Sequence, residues 1–402
     1  MASVYIERKM SAILARSARE YPVVTLTGPR QSGKTTLVRH QFSGFDYVNL
    51  ELPEDRLLAL SDPRSFFKMH PPPLIIDEIQ RVPELLSYIQ VDVDEHPDER
   101  GRYIITGSHQ LDIRAKVSQS LAGRTALLEL LPLSIEELSN AGIAMDRDEY
   151  LYTGFLPRIY QGGLDPGMLY RNYYQTYVER DVRQIASIRN LLAFETFLKL
   201  LAGRVGQILN LSDLANSTGV SSTTLSEWLS ILEASFIVYR LKPYFRNFGK
   251  RLIKAPKLYF LEPGLVNYLL GIRDVQQIPT HPLLGGMFEN LVVSEAIKAC
   301  LNAGMDPDLY FLRDSKGLEC DLLVERENRL MPIEIKASRT FSADFCKKFS
   351  AIRKLDPAFE TGVIVYGGDR SFEYAACKVI GFADTAQLFG GKTPADQQVI
   401  MK

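Results

Sequence analysis

The sequence predicts an α/β protein: a parallel-sheet domain built on a phosphate-binding loop, a helical middle region and a second α/β unit at the C-terminus. Three observations predict it. A β-branched run, Val23–Thr27, passes directly into Gly28-Pro29-Arg30-Gln31-Ser32-Gly33-Lys34-Thr35 and then into the helix-forming Thr36-Leu37-Val38. That order, strand, G-x-x-x-x-G-K-T loop, helix, is the order of a P-loop. Two further apolar runs, Leu74–Ile76 and 102–107, end in Asp77-Glu78 and in Ser108, as parallel strands end at the ligand-binding edge of an open sheet. Towards the C-terminus, 318–324 and 330–336 read as paired strands carrying Asp321, Glu334 and Lys336.

In the loop, the backbone N–H groups of Gly28 to Thr36 and the positive end of the following helix form an anion cradle. Lys34 reaches β- and γ-phosphates, and the Thr35 hydroxyl sits on Mg²⁺. Arg30 either contacts phosphate or pairs with a carboxylate. Asp77 holds Mg²⁺ through its water shell, and Glu78 orients and deprotonates the attacking water. An isolated acidic pair after a strand reads as a solvated turn; behind a P-loop it reads as hydrolytic. Ser108 stands where it senses the γ-phosphate, and 125–131 reads as a further strand.

These strand ends resemble the Walker A, Walker B and sensor-one elements of the AAA ATPase superfamily. Gly-Pro-Arg-Gln-Ser-Gly-Lys-Thr-Thr, Leu-Ile-Ile-Asp-Glu-Ile-Gln, Ile-Ile-Thr-Gly-Ser and Ser120-Leu121-Ala122-Gly123-Arg124 narrow the resemblance to a prokaryotic branch with a poorly characterised C-terminal half, over nearly the whole chain. The resemblance implies ATP with Mg²⁺, hydrolysis, and a homo-oligomer, a hexameric ring being one form. It makes Arg124 a candidate arginine finger against a neighbouring subunit's γ-phosphate. Arg124 reads equally as a surface arginine at a helix C-terminus, and Arg114 and Arg158 are rival fingers.

The ATPase domain is expected over 1–140 and a helical linker over 141–204, where Gly154-Phe155-Leu156-Pro157 and 173–183 match further motifs of the same branch. In 205–275, Ser212 and Ser221 read as helix caps around a turn at Gly219, a helix-turn-helix pattern. The basic run that follows, with Arg240, Lys242, Arg246, Lys250, Arg251, Lys254 and Lys257, resembles the wing of a winged-helix domain. It implies a DNA partner held through Lys242, Arg246, Lys250, Arg251 and Lys254. The same fold also serves protein interaction.

Residues 276–390 form the second α/β unit, opening on an amphipathic helix from Met287 that carries Glu289. Glu334 and Lys336 share one side of their strand, and a neighbouring strand brings Asp321 beside them. With Glu289 this resembles the restriction-endonuclease-like fold, which implies a metal site at Glu289, Asp321, Glu334 and Lys336. The same cluster reads as a charge-paired core or a DNA-holding surface. Residues 391–402 read as a flexible tail.

Over 402 residues the net charge is −1, which excludes a uniformly basic nucleic-acid coat. Cys300, Cys320, Cys346 and Cys377 lie far apart without a Cys-x-x-Cys pair, arguing against a zinc knuckle or disulfide framework. The N-terminus lacks an apolar signal region, and no uncharged run approaches the roughly 18 to 20 residues of a membrane helix. A cytoplasmic protein without membrane contact is expected. Three functions stay open: an ATP-driven DNA motor, a nucleotide-gated protein-interaction switch, and an ATP-licensed nuclease.

Overall fold

The computed structural model describes residues 5–108, 117, 120–182, 188, 190–244, 255–314, 317–375 and 377–389. The chain divides into two units, Met1–Leu133 with Ala234–Phe236 and Leu301–Met305, and the remainder. The first closes at Leu133, ahead of the expected 140. Ser134 already caps a helix, Ile135–Asn140, in a reciprocal capping box with Glu137, and the Ile135 N–H donates to Glu295 within the second unit.

The first unit is a five-stranded sheet of β1 (Val23–Thr27), β2 (Asp46–Asn49), β3 (Leu74–Asp77), β4 (Tyr103–Gly107) and β5 (Thr125–Glu129), in the order β2-β3-β4-β1-β5. Every pairing is parallel. The two-residue period assigns its faces. Val23, Leu74, Ile76, Tyr103 and Ile105 pack into one buried cluster, whereas Val24, Leu26, Ile75 and Ile104 pack into the other. Each such side chain stabilises by about 1.5–3 kcal/mol on burial, and burial on both faces is why these strands read as unbroken apolar runs. The edge strand β2 was not legible in the sequence: only Val48 of its four residues is buried.

The second unit begins with helices. Leu211–Thr218 and Ser222–Ala234 flank Gly219, which is left-handed (φ 70°) as the turn requires. Ser221 caps the second helix, but Asn210, not Ser212, caps the first, because the chain enters that helix two residues earlier. An eight-stranded sheet follows, made of β6 (Val238–Pro243), β7 (Lys257–Phe260), β8 (Leu309–Arg313), β9 (Glu319–Arg326), β10 (Arg329–Lys336), β11 (Gly362–Tyr366), β12 (Phe372–Tyr374) and β13 (Cys377–Gly381). Its order is β12-β13-β11-β10-β9-β8-β6-β7.

The sheet crosses the expected domain boundary at 275. β6 and β7 form an antiparallel pair, and β6 also pairs with β8 in parallel, so the strands assigned to a separate wing are the edge of the C-terminal sheet. The β9–β10 hairpin turns on Glu327 and Asn328, both at positive φ, a turn that matches the twist of the strands. The helix Leu284–Asn302 is buried on nearly every side instead of amphipathic. Its polar positions Asn290, Glu295 and Lys298 are inside with partners. Among the described residues no helix is long and apolar enough to cross a membrane.

Candidate functional site

The loop Gly28–Gly33 leaves the carboxyl end of β1. Gly33, left-handed with φ 93°, opens the helix Lys34–Gln41 with no side-chain cap, leaving its first N–H groups directed at the loop. A Cβ on Gly28 would lie 2.1 Å from the Leu130 carbonyl oxygen, so only glycine lets the loop pass the end of β5. The sequence did not flag Arg8. Its guanidinium is buried and donates to Ser32 O (2.7 Å), Leu131 O (2.7 Å) and Pro132 O (3.3 Å), tying the loop backbone to the chain leaving β5. Pro29 is buried, Arg30 and Gln31 half-buried and Thr36 exposed. The buried Ser32 Oγ has no hydrogen-bond partner among the described residues, as a hydroxyl that donates to a polyanion would.

Lys34 is buried, and its ammonium folds back on Gly28 O (2.9 Å) and Pro29 O (2.8 Å). Burial lowers its pKa to about 8, against the pull of Glu78 and Asp77. The Thr35 hydroxyl donates to Asp77 Oδ2 at 2.8 Å. Tyr47 also donates to that oxygen (2.9 Å), and Thr106 donates to Oδ1. A hydroxyl and a carboxylate held together at the mouth of the loop are hard oxygen donors of the kind Mg²⁺ takes.

Glu78, the next residue, is left-handed (φ 59°, ψ 45°), a conformation that costs about 1–3 kcal/mol in a residue other than glycine. The turn points its carboxylate away from Asp77's partners. The Gln80 amide donates to Glu78 Oε2 and lies 3.3 Å from Ser108 Oγ, which is itself 3.4 Å from Oε2. The structure thus joins Glu78 and Ser108, and adds Gln80, Tyr47 and Thr106. Gln80 closes the Leu-Ile-Ile-Asp-Glu-Ile-Gln stretch that carries the resemblance, though no role was assigned to it; Tyr47 sits on the edge strand the sequence hid.

Arg124 lies at the amino end of β5, where its backbone O accepts from Val23 N (3.3 Å). The loop leaves the opposite end of the parallel β1, five residues away, or about 16 Å along the strand. Its own loop is out of reach. The guanidinium instead makes a two-pronged contact with Asp94 (2.6 and 2.8 Å) and donates to Ala122 O (3.1 Å). Arg158 is exposed on the helix Pro157–Gly162; Arg114 lies outside the described residues.

In the second unit the hairpin assembles its expected cluster. Asp321 Oδ2 accepts from Ile335 N (2.9 Å), Lys336 contacts Glu334 Oε1, and Lys336 Nζ is 3.9 Å from Asp321. The same Glu334 oxygen accepts from Lys348 (2.7 Å). Glu289 accepts from Tyr259 (2.6 Å) and from Lys257 (2.9 Å). Lys257 also lies 2.8 Å from Glu319 and 4.0 Å from Asp321. Burial pulls the Lys257 pKa down, but Glu289, Asp321 and Glu319 outweigh it and hold the ammonium charged. Among the described residues no three His, Cys, Asp or Glu side chains are grouped to hold a metal ion. The metal implied by the restriction-endonuclease-like resemblance does not fit across Glu289 and Asp321, because the Lys257 ammonium lies between them.

The basic run is also altered. Arg240 pairs with Glu233 (2.8 Å) and Lys257 is buried in the acid cluster, whereas Lys242 is exposed on β6. Arg246, Lys250, Arg251 and Lys254 lie outside the described residues.

A family model described as an AAA domain matches residues 20–139. Two domains of unknown function, DUF8612 and DUF4143, match 145–276 and 284–384. Uncharacterized protein Mb2031c of Mycobacterium bovis and uncharacterized protein Rv2008c of Mycobacterium tuberculosis are each 33% identical over 383 residues, covering 92% of this chain and 82% of theirs. An uncharacterized protein of Haemophilus influenzae is 23% identical over 352 residues, covering 78% of this chain and 82% of its own. Among solved structures, the Walker-type ATPase PABY2304 of Pyrococcus abyssi is 14% identical, covers 66% of this chain and 96% of that one, and has a TM-score of 0.44.

Proposed function

The chain belongs to the family of these two mycobacterial proteins and carries an AAA-type ATPase domain at its N-terminus, and we propose that it hydrolyses ATP with Mg²⁺ as a ring-forming, DNA-directed motor. One observation carries the hydrolytic reading. Asp77 is held on Thr35 while the adjacent Glu78 is turned aside onto Gln80 and Ser108, which supports separate metal-side and water-side carboxylates.

Lys34 leaves the Gly28 and Pro29 carbonyls for the β- and γ-phosphates, and the loop N–H groups take the remaining oxygens. Mg²⁺ on Thr35 and Asp77 would neutralise charge on the β- and γ-oxygens. Glu78 accepts a proton from the attacking water as the water oxygen bonds to the γ-phosphorus and the bond to the ADP oxygen breaks. Ser108 donates to the transferring phosphoryl group. Arg124, released from Asp94, supplies positive charge to the neighbouring subunit's site. Lys242 with the helix-turn-helix supports a DNA-facing surface. The test is ATP turnover with and without duplex, single-stranded and branched DNA. Stimulation is expected, and indifference to all three removes the DNA half while leaving the ATPase.

One observation favours a second reading, a nucleotide-gated protein-interaction switch. Arg240 and Lys257, two of the seven cations in the basic run, are committed to internal carboxylates. Under that reading turnover ignores DNA, and a protein partner is retained in one nucleotide state only.

A further inference from the structure

The ammonium of Lys257 stands between Glu289 of the helix Leu284–Asn302 and Glu319 and Asp321 of β9. We infer that Lys257, on β7, stands in place of a divalent ion among Glu289, Glu319 and Asp321, making the restriction-endonuclease-like hairpin of this chain a lysine-pinned joint that does not cleave phosphodiesters.

Geometry carries this first. Lys257 Nζ lies 2.9 Å from Glu289 and 2.8 Å from Glu319, normal lengths for charge-assisted hydrogen bonds. A divalent ion would need the same oxygens at about 2.0–2.6 Å, so the ammonium must leave before an ion can enter. Lys257 is 2% exposed. Its backbone is held in register opposite Leu241, and its ammonium lies 5.5 Å from the Phe311 ring centre.

Charge carries it second. The carboxylates of Glu289, Glu319, Asp321 and Glu334 meet four cations: Lys257, Lys336 on Glu334, Lys348 on Glu334 (2.7 Å) and Arg313 on Glu319 (3.3 Å). Acids and bases balance without a metal, and an added divalent ion would leave two positive charges in excess. The pin also joins parts that the hairpin alone does not. Lys257 brings the edge strand β7 onto both the helix Leu284–Asn302 and β9, which explains why the strands expected in a separate wing are built into this sheet.

The test uses the full chain without nucleotide, with Mn²⁺ as the probe. Wild type and Asp321→Asn should take up Mn²⁺ equally by electron paramagnetic resonance titration, and neither should nick supercoiled plasmid. A Mn²⁺ site, or nicking, present in wild type and lost in Asp321→Asn overturns the inference. Lys257→Met leaves the acids one cation short and should melt roughly 10 °C lower, as a broken buried pair does. Mn²⁺ should raise the melting point of that variant and not of wild type. Unchanged melting of Lys257→Met, or Mn²⁺ stabilisation of wild type that Asp321→Asn abolishes, overturns it. If Lys257→Met does not fold, the double variant Lys257→Met/Glu289→Gln removes one charge of each sign and should recover folding; failure to recover overturns the inference.

Discussion

At the scale of single residues, the nucleotide site is governed by where charge is buried. Burial outweighs the two acidic neighbours of Lys34 and lowers its pKa to about 8, and phosphate oxygens in the loop restore the preference for the charged form. ATP binding above pH 8 therefore takes up a proton, and affinity falls as pH rises past 8. Calorimetry at pH 8.5 in two buffers of different ionisation enthalpy checks it: heats that do not depend on the buffer sink the assignment. For stability the sign is the reverse. The folded protein releases the Lys34 proton before the unfolded chain does, so this group's contribution to stability rises with pH from about 8 to its ordinary 10.5.

Glu78 shows a second residue-level control. A left-handed glutamate persists because its neighbours hold it, and Gln80 is the neighbour whose amide contacts the carboxylate. Gln80→Ala is expected to lower kcat roughly tenfold to a hundredfold with ATP KM nearly unchanged, since a misplaced base costs about that much. Glu78→Gln should cost about 10²–10⁴-fold in kcat and retain ATP binding. A Gln80→Ala enzyme whose KM rises while kcat holds would make Gln80 a binding residue instead.

At the scale of elements, what the sequence revealed was what local rules determine. β1 appeared with its bounds intact because it is buried on both faces and ends in a loop whose glycines serve backbone geometry. Gly28 sharpens the point. Its positive φ and the Leu130 oxygen 2.1 Å from a would-be Cβ predict that Gly28→Ala loses ATP binding and costs about 1–3 kcal/mol of stability, measured by nucleotide binding beside denaturant unfolding. The pairing of Asp321 with Glu334 and Lys336 was legible because strand alternation is a local rule. The role of Lys257 was not. It stood in a basic, aromatic run that looked like a surface, and its acids come from a helix and a strand far along the chain. The edge strand β2 stayed hidden for the opposite reason, since with one buried residue it has no pattern to read.

At the scale of the whole molecule, the open quantity is whether one chain completes its own site. Arg124 sits at the far end of the strand neighbouring β1 and is held by Asp94, so within one subunit it cannot touch the phosphates it was expected to serve. If it acts across an interface, each subunit lends an arginine and keeps its own Lys34. Arg124→Ala and Lys34→Ala proteins should then each be inactive, the first because losing a finger costs about 10³–10⁵ in turnover. Mixed in equal amounts and allowed to exchange, they should regain activity. The competent interface joins an intact Lys34 from one subunit to an intact Arg124 from its neighbour, which occurs at about one interface in four in a closed ring. Asp94→Asn should raise turnover of the assembled protein by freeing the guanidinium, and that gain should vanish in the Asp94→Asn/Arg124→Ala double variant. Mixtures as inactive as their parents, in a sample shown to have exchanged subunits, would return Arg124 to the surface role its contact with Ala122 O also fits.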